Sequence, residues 1–147
     1  AKDETTETDR EADLKAAPAS QTSSPKASPD KDTPQYWLEK GALFATYGNT
    51  KRAVAHFRKA VEMDPDNSRA LFHLAVSYGE AGKTGRALDA INRAISLKSQ
   101  EGSYYYARGW IYLLADDTEK AESDMQRAAE MGNRDAIDYL ESIRNRN

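Results

Sequence analysis

Residues 34–67 read PQYWLEKGALFATYGNTKRAVAHFRKAVEMDPDN, and the next two blocks, 68–101 and 102–135, repeat their pattern at the same spacing. With Pro34 as the first position, the eighth is Gly41, Ala75 and Gly109. The twentieth is Ala53, Ala87 and Ala121, and the twenty-seventh is Ala60, Ala94 and Ala128. Large residues recur between these small ones. Trp37, Leu71 and Tyr105 hold the fourth position, Phe44, Tyr78 and Tyr112 the eleventh, and Phe57, Ile91 and Met125 the twenty-fourth. Small residues let two antiparallel helices approach closely, and large ones fill the space between them and toward the next pair.

The turn residues divide each block into two helices. Thr33-Pro34 opens the first, because Thr caps orphan amides and Pro at the first helical position loses no hydrogen bond. Gly48 and Gly82 end first helices, and Asp116-Asp117 does so in the third block. Thr50, Thr84 and Thr118 follow these turns and are expected to cap the second helices. Asp64-Pro65-Asp66-Asn67 stops the second helix of the first block and caps the next. Beyond Gly132, Asn133 is expected to cap a last helix over 134–145. Its Ile137, Leu140 and Ile143 face inward, and Asp138, Glu141, Arg144 and Asn145 face water.

The period and the small-and-large pattern resemble the tetratricopeptide repeat (TPR) family. The resemblance implies an all-α fold: a right-handed α-solenoid of three antiparallel helix pairs, 34–67, 68–101 and 102–135, plus a C-terminal capping helix whose polar outer face closes the array. The sequence departs from the family pattern at the seventh position, usually apolar, where Lys40 and Arg108 stand. Pro65 also has no counterpart at Ser99 or Asn133.

Residues 1–33 have a different composition. Leu14 is their only large aliphatic residue, no aromatic occurs, and five basic residues stand against eight acidic. Such a segment buries too little apolar surface to offset the entropy of ordering, so it is expected to be a disordered, acidic, Ser/Pro-rich tail or linker. A short helix around residues 8–17 is expected only on binding. The first residue is Ala1 and not Met, as after trimming of the chain or after removal of a signal peptide; the tail resembles the start of many exported proteins, so an exported location, periplasmic or extracellular, is slightly favoured over a cytoplasmic one.

The formal net charge is −3. It gives no electrostatic reason to expect nucleic acid or an anionic membrane as a partner. No apolar run is long enough to span a bilayer. Without cysteine there is no disulfide, thiol nucleophile or zinc-thiolate site. No cofactor or metal is expected, since neither His56 nor His73 has a second ligand at metal spacing on its helix. SYGEAGKT at 77–84 is one residue short of a phosphate-binding P-loop, but that loop must follow a strand, and residues 71–78 carry a helical period. No set of nucleophile, base and orienting group can be assembled, so no enzyme is expected.

In the family, the first helix of each repeat lines a concave groove with its second, fifth, ninth, twelfth and thirteenth positions. The resemblance places Gln35, Leu38 and Ala42 there in the first repeat, with Ala45 and Thr46. The second repeat contributes Arg69, Phe72, Val76 and Glu80, with Gly79. The third contributes Tyr106, Trp110 and Leu113, with Ser103 and Leu114. Leu38, Phe72 and Tyr106 share the fifth position and form an apolar row suited to an amphipathic helix or apolar peptide. The basic carboxylate clamp of chaperone-binding members is missing. Leu38, Ala42, His73, Ser103 and Ala107 stand at its positions. The expected function is a non-catalytic protein–protein interaction adaptor or assembly factor with a protein or peptide partner. The alternative is a structural subunit of a larger homo- or hetero-assembly whose groove is permanently filled. Stacking of a ligand on Tyr106 and Trp110 is a third reading.

Overall fold

The computed structural model describes Lys31 and residues 33–147. The expectations for the tail, including its helix at 8–17, lie outside the described residues apart from those two positions. Seven α-helices and no strand occur among the described residues: α1 (Pro34–Thr46), α2 (Thr50–Met63), α3 (Ser68–Glu80), α4 (Thr84–Leu97), α5 (Gly102–Leu114), α6 (Thr118–Glu130) and α7 (Arg134–Arg146). They pack as hairpins, α1 with α2, α3 with α4 and α5 with α6. Each hairpin stacks on the next, and α7 covers α6. This is an all-α solenoid. The packing of α3 on α5 and of α1 on α3 sets the first helices side by side along one face.

The periodic residues explain the packing. Ala53, Ala87 and Ala121, and Ala60, Ala94 and Ala128, are at most 1% exposed. Phe57, Ile91 and Met125 are equally buried, each contributing about 1.5–3 kcal/mol by leaving water. The eighth position must be small because of these same rings and chains. A Cβ on Gly41 would sit 2.6 Å from the Phe57 ring, and one on Gly109 would sit 3.1 Å from Met125 Cε.

The helix ends correct one expectation. Thr50, Thr84 and Thr118 are the first helical residues, not the caps. Asn49 caps α2 by accepting from the Arg52 amide at 3.2 Å, and Asp117 caps α6 by accepting from the Lys120 amide at 3.1 Å. A side chain one residue earlier reaches the third amide of the helix, which the threonine has already passed. Lys83 precedes α4 and offers no side-chain cap. Thr33, Asn67 and Asn133 cap as expected. At the third hairpin turn Asp116 takes a left-handed φ of 60°, where the preceding hairpin uses Gly82 at 78°. Asp is among the few side chains that tolerate that region.

The two charged seventh positions differ. Arg108 makes a two-pronged bond to the buried Asp124 carboxylate, 2.8 Å from both Nε and Nη2, and a third bond of 2.9 Å to Asn92 Oδ1. It thereby ties α5 to α6 and α4. The hydrogen bond to Asp124 holds its pKa above the ordinary arginine value, although burial opposes this. Lys40 instead lies over the ring of Tyr36, at 5.7 Å, one turn back on its own helix.

Candidate functional site

The face on which the first helices lie side by side is built by α1, α3 and α5, and its character changes along the row. Between α3 and α5 lies a cleft of about 270 Å³ lined by Phe72, Val76, Tyr106 and Trp110, with Ser103, Ala107 and Glu80 completing its wall. The four apolar residues are half-buried: packed against the core on one side and open on the other.

Local packing fixes each wall. Phe72 stacks on Tyr104 at 5.1 Å between ring centroids, and the Tyr104 hydroxyl donates to Ser68 Oγ at 3.2 Å, joining the starts of α3 and α5. Trp110 lies against Gly79, where a Cβ would approach Cζ3 of the indole to 2.7 Å. The missing side chain at residue 79 is the seat of the ring. Tyr106 makes no hydrogen bond through its hydroxyl among the described residues, so that group is free for a ligand. Burial, and secondarily the charge of Asp135, raise its pKa above the ordinary tyrosine value.

His73 lies between the rings of Phe57, stacked at 5.3 Å, and Phe72, edge-on at 5.1 Å. Burial first, and Arg69 second, lower its pKa below the usual 6.5, so it is neutral at pH 7. Beside it a second hollow of about 290 Å³ shares Phe72 and Ser103 with the first and adds Arg69, Lys98 and Glu101.

Of the residues assigned to the groove from sequence, Phe72, Val76, Glu80, Tyr106 and Trp110 come together in the cleft, and Arg69 lines the adjoining hollow. Leu38 is a correction. It is 7% exposed and belongs to the core, not to an open face. Gln35 and Ala42 are exposed on α1 but line neither hollow, and the Gln35 amide donates to Glu39 at 2.8 Å. Leu113 is half-buried against the core, outside the cleft. Lys98 and Glu101 were missed because they precede α5 in a loop that helix-face counting passes over. Their charge beside a first-helix start was the available signal.

Elsewhere, Tyr104 and Tyr105, which precede Tyr106 in the chain, are buried. The P-loop-like stretch is preceded by helix α3 and not by a strand, and its Ser77 is buried in that helix. Among the described residues no group of acidic or histidine side chains is placed to hold a metal ion, and no helix is long and apolar enough to cross a membrane.

A solenoid of stacked helical hairpins with a cleft on its inner face defines a helical-repeat protein. The tetratricopeptide repeat family model matches residues 38–101 and 72–136, and the chain belongs to that family. It is 26% identical over 92 residues to the general transcriptional corepressor trfA of Dictyostelium discoideum, covering 63% of this chain and 7% of that protein. It is 30% identical over 90 residues to the mouse (Mus musculus) DnaJ homolog subfamily C member 3, covering 61% of this chain and 18% of that one. The match thus spans under a fifth of either relative. Among solved structures, the first TPR domain of Spaghetti (RPAP3), bound to an HSP90 peptide, superposes with a TM-score of 0.71 at 24% identity, covering 80% of this chain and 95% of that one.

Proposed function

We propose that this chain is a non-catalytic interaction module that holds an apolar or amphipathic segment of a partner protein in the cleft between α3 and α5. The observation that carries the reading is the half-open set of Phe72, Val76, Tyr106 and Trp110 around one hollow. Large rings held by the core but open on one side bury much area at little rotamer cost when a ligand arrives. The complex of the RPAP3 domain with a peptide supports the same use of this fold. The ligand class differs in our reading, since the chaperone clamp positions carry Leu38, Ala42, His73, Ser103 and Ala107.

The test is a cross-linked pull-down from the source cell, with the wild type beside a Val76→Glu, Tyr106→Glu double variant shown by circular dichroism to remain helical. Proteins captured by the wild type and lost in the variant support the cleft. The same proteins captured by both would move the binding surface elsewhere on the solenoid or to the tail. A light-scattering mass is expected to give a monomer. A stable oligomer that the double variant dissociates would instead favour the reading as a permanently assembled subunit.

A further inference from the structure

The charges around the cleft are arranged by sign. At the start of α3, Arg69 and Lys98 line the hollow that shares Phe72 and Ser103 with the apolar cleft. Among the described residues neither cation forms an ion pair or a side-chain hydrogen bond. Glu101 shares that wall, so two cations stand beside one carboxylate, and among the described residues none of the three forms an ion pair. Burial and Arg69 lower the His73 pKa, so the cationic character of this hollow at pH 7 rests on Arg69 and Lys98 and not on the imidazole. At the far end of α3, Glu80 lines the apolar cleft and is likewise exposed and unpaired among the described residues.

The order along the helix is therefore basic, apolar, acidic: Arg69, then Phe72 and Val76, then Glu80. Eleven residues of helix separate the two ends, a distance of roughly 16 Å. That length matches a helical segment of about 11 residues or an extended one of about five.

Resting on the groove reading above, we propose that the occupant is a bipolar peptide segment. It carries an acidic side chain that enters the hollow between Arg69 and Lys98, a centre of bulky apolar residues on Phe72, Val76, Tyr106 and Trp110, and a basic side chain that meets Glu80. Complementary charges at the rim set the register and select among apolar segments, while the rings supply affinity.

The experiment uses the full chain and fluorescence anisotropy with labelled peptides of about 11 residues. All are acetylated and amidated, share one apolar centre, and differ only at their ends: acidic with basic, both acidic, or both basic. The wild type is expected to bind the mixed peptide about fivefold more tightly than either uniform one, since each mismatched exposed pair costs a few-fold. Glu80→Lys is expected to move the preference to the doubly acidic peptide, and Arg69→Glu with Lys98→Glu to the doubly basic one. All three residues are exposed, so these variants keep the fold. Equal affinities, or a preference unmoved by charge reversal, would overturn the bipolar occupant. If Val76→Glu still abolished binding in that case, the apolar cleft itself would stand. Binding indifferent to Val76→Glu, or no binding of any peptide, would overturn both.

Discussion

At the ninth repeat position the chain carries Ala42 in the first repeat, Val76 in the second and Trp110 in the third. At the fifth it carries Leu38, Phe72 and Tyr106. The backbone register is the same throughout, yet among the described residues it is the α3–α5 half of the first-helix face that holds the apolar cleft. In the first repeat Leu38 is drawn into the core, and Ala42 leaves nothing large to form a wall. In the other two, rings too large to sink completely stand half out of the core. Repeat register decides which positions face inward, and side-chain volume decides whether they enclose anything.

The largest expected effect contrasts the two charged seventh positions. Asp124→Ala leaves the partly buried Arg108 without its carboxylate and loosens the wall that α5 gives the cleft. It should cost about 2–4 kcal/mol in urea unfolding, toward the range for breaking a buried ion pair. Lys40→Ala removes an exposed ammonium from a tyrosine face and should cost about 0.5 kcal/mol or less. Similar costs at both positions would dissolve the contrast between the two ends of the array.

Next come two glycines that each face a ring. Gly41→Ala drives a methyl group into Phe57, which has no room to move. Overpacking of about 1–3 kcal/mol should outweigh the gain in helix propensity of about 1 kcal/mol. Gly79→Ala meets Trp110, whose open side lets it swing away, so stability should change little while affinity for the mixed peptide falls. Differential scanning calorimetry beside the peptide titration separates the two outcomes.

At the ninth position itself, Val76→Glu should lower affinity for an apolar peptide by about tenfold or more, the scale of removing a central anchor. Ala42→Glu should change it by less than about twofold, as at a peripheral site. A large effect at Ala42 would extend the groove over α1.

The smallest effect is one of pH. The folded state lowers the His73 pKa, so the unfolded chain binds more protons below the ordinary value of 6.5. Stability from this group is full above that value. It declines as the pH falls toward the lowered one, below which both states are protonated. His73→Phe keeps a ring between Phe57 and Phe72 and should show a shallower loss of stability over that window.

The solenoid was legible because burial repeats with the sequence. The small positions and their large partners alternate at fixed spacing, and the alanines with their twenty-fourth-position partners are buried in every repeat. The cleft was legible in part through the family resemblance, whose groove positions, counted along the repeat, include Phe72, Val76, Tyr106 and Trp110, the residues that line the hollow. Leu38 was misplaced because register says which way a residue points and not how deeply it is buried once the array is packed. Lys98 and Glu101 were missed because they lie in a loop, where no period operates. Thr50 and Thr118 were displaced as caps because Asn49 and Asp117, one residue earlier, reach the same amides, while Thr84 follows Lys83, which has no side-chain acceptor to cap with.

The cleft is tested most directly by a photo-cross-linking amino acid at residue 76 in one variant and at residue 42 in another, both expressed in the source cell. Residue 76 is expected to give a discrete partner band, lost when Tyr106→Glu is added, and residue 42 no such band. The same band from both positions, or a band from residue 76 that survives Tyr106→Glu, would contradict a binding site confined to the α3–α5 half of the concave face.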